Sequence, residues 1–429
     1  MMASDSVTKK VSCPWYIHPG WLGLVFFSVI FIAWILLPAD IFYTTTKARK
    51  IVSTSGSLYW GFAVVLFVLG AFLTAGVSNR HSVTTVTPKV QPSWIYVGFC
   101  LTMIGYLCWF GIAAQKVGGI TQLFNFIIAT LGIQSINILK IKFFQTIPGI
   151  TTLTQIGVVT VALITVYLLY EVPKNKMPYY TMFALIFIFG LIRALVLSER
   201  LAVLELLIPV LVIITYRHKK TFSSKTFLPV AAIVVFYLLF TFGEYIRSWI
   251  FFQNKTDLSL WSFSFFRLLS YYTTSVNNAV FLVKENWALS TPFYYTLVWI
   301  WNVPLYANNW WNYTALFKID PSKVWSTLFY GRTPLYAEFN TFSIPGYLYL
   351  DFGWLGLIFI FLLGVITGRL YRMLFKKNAL GIVLYATWFT GLLEFPRIFY
   401  WPNGRYFPSL LFLLVLAVLN KYRRAPISR

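Results

Sequence analysis

Long apolar runs alternate with short basic connections over most of the 429-residue chain. Runs near 21–38, 58–77, 94–114, 150–170, 179–197, 200–216, 227–243, 346–368, 379–395 and 407–420 each approach the ~20 residues that a helix needs to cross a bilayer. They predict about ten spanning helices, and an even number puts both termini on one side. With that side cytoplasmic, the connections carrying Arg80 and Lys89, Lys174 and Lys176, Arg217 to Lys225, and Arg369 to Lys377 all face inward, as does the tail with Lys421, Arg423 and Arg424. Lys47, Arg49 and Lys50 fall on the other side and break the pattern.

Three stretches need separate treatment. Residues 120–139 are apolar, but Gln122, Asn125, Gln134 and Asn137 interrupt them, which predicts an interfacial or re-entrant helix on the outer side. The hydrophobic interval from Met177 to Tyr216 would be roughly 60 Å long as one straight helix, about twice the hydrocarbon thickness. It must therefore double back, and its polar break puts Arg193, Glu199 and Arg200 at an outer turn. The interval from Glu244 to Phe352 mixes charged, aromatic and amide residues with no clean apolar run of spanning length. It predicts an outer loop over 244–345, between seven helices in 1–243 and three in 346–429. Within it, Arg267, Tyr271, Thr274 and Asn278 are spaced four, three and four apart, one polar stripe on an amphipathic helix. A solvated face would give the same stripe.

Composition agrees with the periodicity. Hydrophobic residues make up 59% of the chain and charged residues only 11%, and mean hydropathy is +0.72, outside the range of soluble domains. The start, MMASDSVTKK, runs into Pro14, Pro19 and a full-length apolar run without a small-residue cleavage pattern, and so reads as a retained cytoplasmic tail. The net charge of +23 is explained by topology and by anionic membrane lipid, and no nucleic-acid partner is expected. Cys13, Cys100 and Cys108 offer neither a disulfide framework nor a metal cluster. Gly364 and Gly368 have a spacing that suits close helix packing.

The acidic residues are distributed unevenly. Glu199, Glu244, Asp257, Glu285, Asp320, Glu338, Asp351 and Glu394 gather at or beyond the outer boundary, near Arg193, Arg200, Arg247, Arg267, Arg332, Arg397 and Arg405. Any one of these could simply anchor a helix end, whereas the set as a whole marks a site. His18, His81 and His218 all lie on the inner side, and no nucleotide-binding glycine loop, zinc spacing or nucleophilic serine motif is present, so neither metal nor cofactor is expected. Arginine forks for phosphate and aromatic faces for sugar rings remain, groups suited to transfer from a lipid diphosphate with one general base.

The order of features resembles the oligosaccharide repeat-unit polymerases, the O-antigen polymerase (Wzy-type) family. Ser198-Glu199-Arg200 stands at a turn between two mid-chain helices, Arg267 with Tyr271 gives an R-x-x-x-Y pattern in the long loop, and Asn340-Thr341-Phe342-Ser343 precedes a helix entry over Gly346 to Gly356. The resemblance implies an all-α polytopic, GT-C-like glycosyltransferase of the bacterial inner membrane, with both termini cytoplasmic and the loop periplasmic. It also implies undecaprenyl-diphosphate-linked oligosaccharides as substrates, metal-independent inverting transfer into a surface polysaccharide of O-antigen or capsule type, and a chain-length regulator protein as a possible partner. The related O-antigen ligases use a loop histidine, which this chain lacks on the outer side. On this resemblance Arg193, Arg200 and Arg267 would hold the diphosphate, with Arg247 and Arg332 assisting. Glu338 would be the general base, and Tyr271 and Asn340 would position sugar. Asp351 is the second candidate base, with a helix-start role as its competing reading, and Glu199 the third. The competing class is a transporter of lipid-linked oligosaccharides, which would ordinarily show internal repeats and charges near the bilayer midplane.

Reporter fusions check the topology. Fusions after Tyr216 and after Lys377 are expected to score cytoplasmic and one within 300–320 periplasmic. A cytoplasmic score in that loop would separate it from the side on which finished repeats are presented.

Overall fold

Away from water a backbone must satisfy its own N–H and C=O groups, so the apolar runs settle into helices. The computed structural model describes residues 9–77, 80–83, 88–130, 147, 149–196, 199, 201–218, 228–245, 249, 252–254, 256–303, 312–376 and 378–424. The first half of the chain supplies α1 (Pro19–Leu36), α2 (Ala39–Thr46), α3 (Thr54–Ala75), α4 (Pro92–Val117), α5 (Ile120–Thr130), α6 (Ile156–Tyr170), α7 (Met177–Val196), α8 (Leu201–Arg217) and α9 (Leu228–Glu244). The long loop carries α10 (Leu260–Lys284), α11 (Val298–Trp301), α12 (Tyr313–Phe317) and α13 (Pro321–Tyr330). The chain continues with α14 (Ile344–Phe352), α15 (Gly356–Met373), α16 (Ala379–Leu393) and α17 (Phe407–Arg424). The strands among the described residues are Lys9–Ser12 and Arg80–Val83, paired antiparallel in one short ladder.

This is a polytopic membrane protein: six helices among the described residues are long and apolar enough to cross a bilayer. Shorter apolar helices cover Ile233–Glu244, Ala379–Leu393 and Phe407–Lys421. Exposed Val29, Leu69, Leu107, Ile188, Leu238, Ile358 and Leu414 cover the outward faces of these helices, an arrangement stable against lipid rather than water. The interval from Met177 to Tyr216 doubles back between α7 and α8, and Pro209 is accommodated inside α8. The apolar stretch after Gly119 forms α5, where Leu123 packs on Trp109 and Ala113 of α4; Gln134 and Asn137 lie outside the described residues.

The bundle has two distinct ends. At one end His18 Nε2 meets the Gly76 carbonyl at 2.9 Å and the Tyr385 hydroxyl donates to Ile17 O at 2.6 Å, next to the strand ladder. At the other, α10 to α14 fold over the helix ends; we term this the loop end. Lys47, Arg49 and Lys50, which depart from the charge pattern, lie there with structural work to do. The Lys50 ammonium donates to the Ile35 and Leu37 carbonyls at 2.7 Å each, closing the end of α1 where unpaired carbonyls collect.

Close packing of α3 on α15 organises the core. An added Cβ at Gly70 would collide with Phe361 O, one at Gly364 with Phe67 O, and one at Gly368 with Thr74 Oγ1, so the two backbones are nearly in contact. Gly364→Ala is expected to destabilise the detergent-solubilised protein by about 1–3 kcal/mol, read as a lower unfolding temperature. Gly111→Ala, where an added Cβ meets nothing within 4 Å, is the control and should be neutral or better. Equal unfolding temperatures for the two variants would mean that α3 and α15 do not pack this closely.

Candidate functional site at the loop end

Ser259 caps α10 by accepting from Ser262 N at 3.2 Å, and the helix then runs 25 residues to Lys284. Its polar stripe is buried, not solvated: Arg267 is 1% exposed, and Thr274 and Asn278 are fully buried. What covers the stripe is the segment just before α14. Arg267 Nη2 bonds Glu338 Oε1, and the Tyr271 ring meets Phe339 edge-on at 5.3 Å. Ser275 Oγ lies 2.7 Å from Thr341 Oγ1, and Asn278 Nδ2 donates to the Phe339 and Thr341 carbonyls at 2.8 and 3.0 Å. A polar helix face thus satisfies the polar backbone of an irregular segment away from water. Phe342 is fully buried, and Ser343 Oγ accepts from Trp60 Nε1 at 2.9 Å, which fixes the segment from its other side. Thr341, Phe342 and Ser343 therefore anchor the segment, while Asn340 points outward and is exposed.

Arg267 is the centre of a first cluster. Its Nη1 donates to Thr45 O at the end of α2 at 2.6 Å, its Nε lies 3.9 Å from Glu244 Oε2, and its guanidinium faces Phe339 at 4.8 Å and Phe252 at 5.4 Å. The Glu244 side chain is fully buried, whereas that of Glu338 is 33% exposed, so Glu338 is the carboxylate of this cluster that a ligand can reach.

A second cluster joins the turn between α7 and α8 to the connection between α16 and α17. Glu199 Oε2 takes Arg193 Nη2 at 2.8 Å and Arg405 Nη2 at 3.2 Å, and Arg405 Nη1 reaches Glu205 Oε1 at 3.5 Å. With its amide oriented to satisfy both sides, Gln155 accepts from Arg193 Nη1 at 2.6 Å and donates to Arg405 O at 2.9 Å. Burial works against the Arg405 charge, but Glu205 and Glu199 more than offset it and raise its pKa above the ordinary guanidinium value. Between the clusters stands Arg397, paired with Glu394 at 2.9 Å and lying 5.5 Å above the Tyr271 ring. Among the described residues Arg397 Nε and the buried Tyr400 hydroxyl have no hydrogen-bond partner.

The structure thus brings Arg267, Tyr271, Glu338 and the neighbouring Asn340 together, and puts Arg193 with Glu199 in the second cluster. Arg332 is exposed, and Arg200 and Arg247 lie outside the described residues. Asp351 is fully buried beneath the loop: it accepts from Thr296 N at 2.7 Å, Thr296 Oγ1 at 2.8 Å, Tyr295 N at 3.2 Å and Thr291 Oγ1 at 3.4 Å. Those four donors fill its lone pairs and make it a loop anchor. Sequence reasoning assigned no role to Glu205 or Arg405. The available signal was a single carboxylate in the apolar run LAVLELLIPV, since a membrane-embedded acid needs a named partner.

No family model matches the chain, and no curated protein or solved structure matches it at a significant level. The fold and this site define a helical polytopic membrane protein with paired arginines and carboxylates gathered at one end of its bundle.

Arg405→Met would leave Glu199 with one arginine and Glu205, whose side chain is 2% exposed, with none of its paired charge. The expected loss is about 3–5 kcal/mol of stability, the usual consequence of removing one partner of a buried pair. Adding Glu205→Gln should recover much of it, and the unfolding midpoints of single and double variants in detergent measure both. An unchanged midpoint in the single variant would show that Arg405 does not stabilise these acids.

Proposed function

We propose that the chain is a repeat-unit polymerase that transfers a growing oligosaccharide from one undecaprenyl diphosphate carrier to the end of a new lipid-linked repeat, on the periplasmic side of a bacterial inner membrane. The observation that carries this reading is the Arg267–Glu338 pair, a guanidinium buried to 1% exposure against a carboxylate one-third open to the exterior. In this reading the spans number about ten, the six long helices being joined by α8, α9, α16 and α17, and the 244–345 segment caps a lipid-facing cleft. Charge concentrated at one end of the bundle suits surface chemistry better than transport through the midplane.

The acceptor hydroxyl attacks the anomeric carbon of the donor sugar, forming the new C–O bond as the bond to the diphosphate oxygen breaks with its electron pair. The hydroxyl proton passes to the Glu338 carboxylate. Once Glu338 is neutral it no longer competes for Arg267, whose fork turns to the diphosphate as that group gains charge, so proton transfer and leaving-group stabilisation are coupled. Arg193 and Arg200 hold the diphosphate from the turn between α7 and α8, Tyr271 and Asn340 orient the sugar, and Arg247 and Arg332 assist.

Glu338→Gln keeps the shape and a hydrogen bond to Arg267 but cannot take a proton. Polymer ladders should disappear while protein level and unfolding temperature stay near those of the parent. Arg267→Lys keeps the charge but loses the planar fork, and should lower the rate on the order of 100- to 1000-fold. Full-length ladders with Glu338→Gln at equal expression would remove Glu338 from the chemistry.

A further inference from the structure

The middle of the 244–345 segment contains a cleft that the polymerase reading leaves unused. Between α11, α12 and the start of α13 lies a cavity of about 160 Å³, walled by Tyr294, Trp301, Asn302, Asn312, Asp320 and Ser322. Roughly 150 Å³ is enough for one six-membered ring of benzene size. The aromatic part of the wall is rigid. Tyr313 meets Tyr294 at 5.0 Å and Trp301 at 5.3 Å, both near perpendicular, and its hydroxyl is committed to Pro292 O at 2.9 Å. The polar part keeps unused valences pointing from ordered side chains. Asn312 Oδ1 caps α12 through Thr314 N at 2.9 Å, which leaves its amide N–H groups. Asp320 Oδ1 caps α13 through Ser322 N at 2.9 Å, which leaves Oδ2 as an acceptor. Asn302 Nδ2 is spent on Val298 O at 2.8 Å, which leaves its carbonyl oxygen.

The cleft is also held in shape. Asp351 takes four hydrogen bonds from residues 291–296, the backbone that carries Tyr294. Four described non-glycine residues of the loop, Asn286, Leu289, Phe293 and Lys318, adopt left-handed φ values of 53°, 56°, 58° and 57°. Such a backbone costs about 1 kcal/mol or more per residue and persists only where the surroundings over-determine it. Burial, and next the Asp320 carboxylate, raise the Tyr294 pKa, so its hydroxyl stays protonated and able to donate.

We propose that this cleft is a carbohydrate subsite for one neutral pyranose ring. An aromatic wall beside donor and acceptor groups on ordered side chains matches the two faces of a sugar, whose C–H surface is apolar and whose hydroxyls both donate and accept. Charge sets the choice within that class. Among the described residues no lysine or arginine lines the cavity and one carboxylate does, so an acidic sugar would bring like charges together, whereas a neutral ring gives Asp320 Oδ2 a hydroxyl to accept from. The inference takes from the polymerase reading only the idea that this loop meets oligosaccharide.

Binding alone tests it, with the detergent-solubilised full-length protein and saturation-transfer difference NMR. The probes are the methyl glycosides of glucose, galactose and N-acetylglucosamine, with methyl glucuronoside as the charged comparison. At least one neutral glycoside is expected to receive saturation and the glucuronoside to receive little. Asp320→Asn retains the helix cap, because Asn caps as well as Asp, and should weaken binding about tenfold. Trp301→Ala should abolish it, and Glu338→Gln should leave it unchanged. Three results would overturn the proposal: no transfer to any neutral glycoside, transfer unaffected by both Asp320→Asn and Trp301→Ala, or glucuronoside binding as strong as that of the neutral probes. Sugar binding in a protein that makes no polymer would refute the polymerase reading and leave the subsite standing.

Discussion

Burying the Arg267 guanidinium is the constraint from which the loop end follows. A lone charge taken from water into a closely packed interior costs several kcal/mol or more, so Arg267 can be 1% exposed only if other groups surround it at once. Those groups come from four places in the chain: the carbonyl of Thr45, the carboxylates of Glu244 and Glu338, and the rings of Phe252 and Phe339. Each of these segments has a polar end that would otherwise need water, and converging on one cation satisfies all of them together.

The same logic sets the order of assembly along α10. After Arg267 come Tyr271, Ser275 and Asn278, which take Phe339 and Thr341, and on an adjoining face Asn277 accepts from Ile51 N at 2.7 Å and donates to Arg49 O at 3.1 Å. One helix therefore satisfies the backbone of two irregular segments, the entry to α3 and the entry to α14. Farther along the bundle, α3 and α15 press together at Gly70 and Gly364. Polar fixation at the loop end and glycine contact within the bundle are thus successive parts of one interface.

Much of this was legible in the residues. The long apolar helices, the fold-back near Glu199, the close packing at Gly364 and Gly368 and the amphipathic helix carrying Arg267 follow from hydrophobic length, small-residue spacing and 3.6-residue periodicity, which depend only on local sequence, although six helices rather than ten are of full spanning length among the described residues. What periodicity cannot reveal is what covers a face. The stripe Arg267, Tyr271, Thr274 and Asn278 has the same spacing whether water or the polar backbone of residues 338–341 lies against it, and only the long-range pairing distinguishes the two. The pairing of Arg405 with Glu205 was hidden for the same reason. They are 200 residues apart, and neither sits in a recognisable pattern. Lys50 was a charge on the wrong side by count alone, and became intelligible once the carbonyls of Ile35 and Leu37 were seen beside it.

The distribution of carboxylates among the arginines bears on which part of the loop end is free to act. Arg405 shares two acids, Glu199 and Glu205, and Arg193 one of the same, so that cluster is closed on itself and its charges are largely spent on stability. Arg267 is buried more deeply than Arg405, at 1% against 25% exposure, yet one of its acids, Glu338, reaches the surface, and Arg397 keeps an unbonded Nε above Tyr271. An anion arriving at this end would therefore find, beside Tyr271, a guanidinium able to exchange partners as Glu338 gives way. That asymmetry separates a cluster whose acids are all paired with arginine from one whose acid is open to accept a proton, although both are built from the same two residue types.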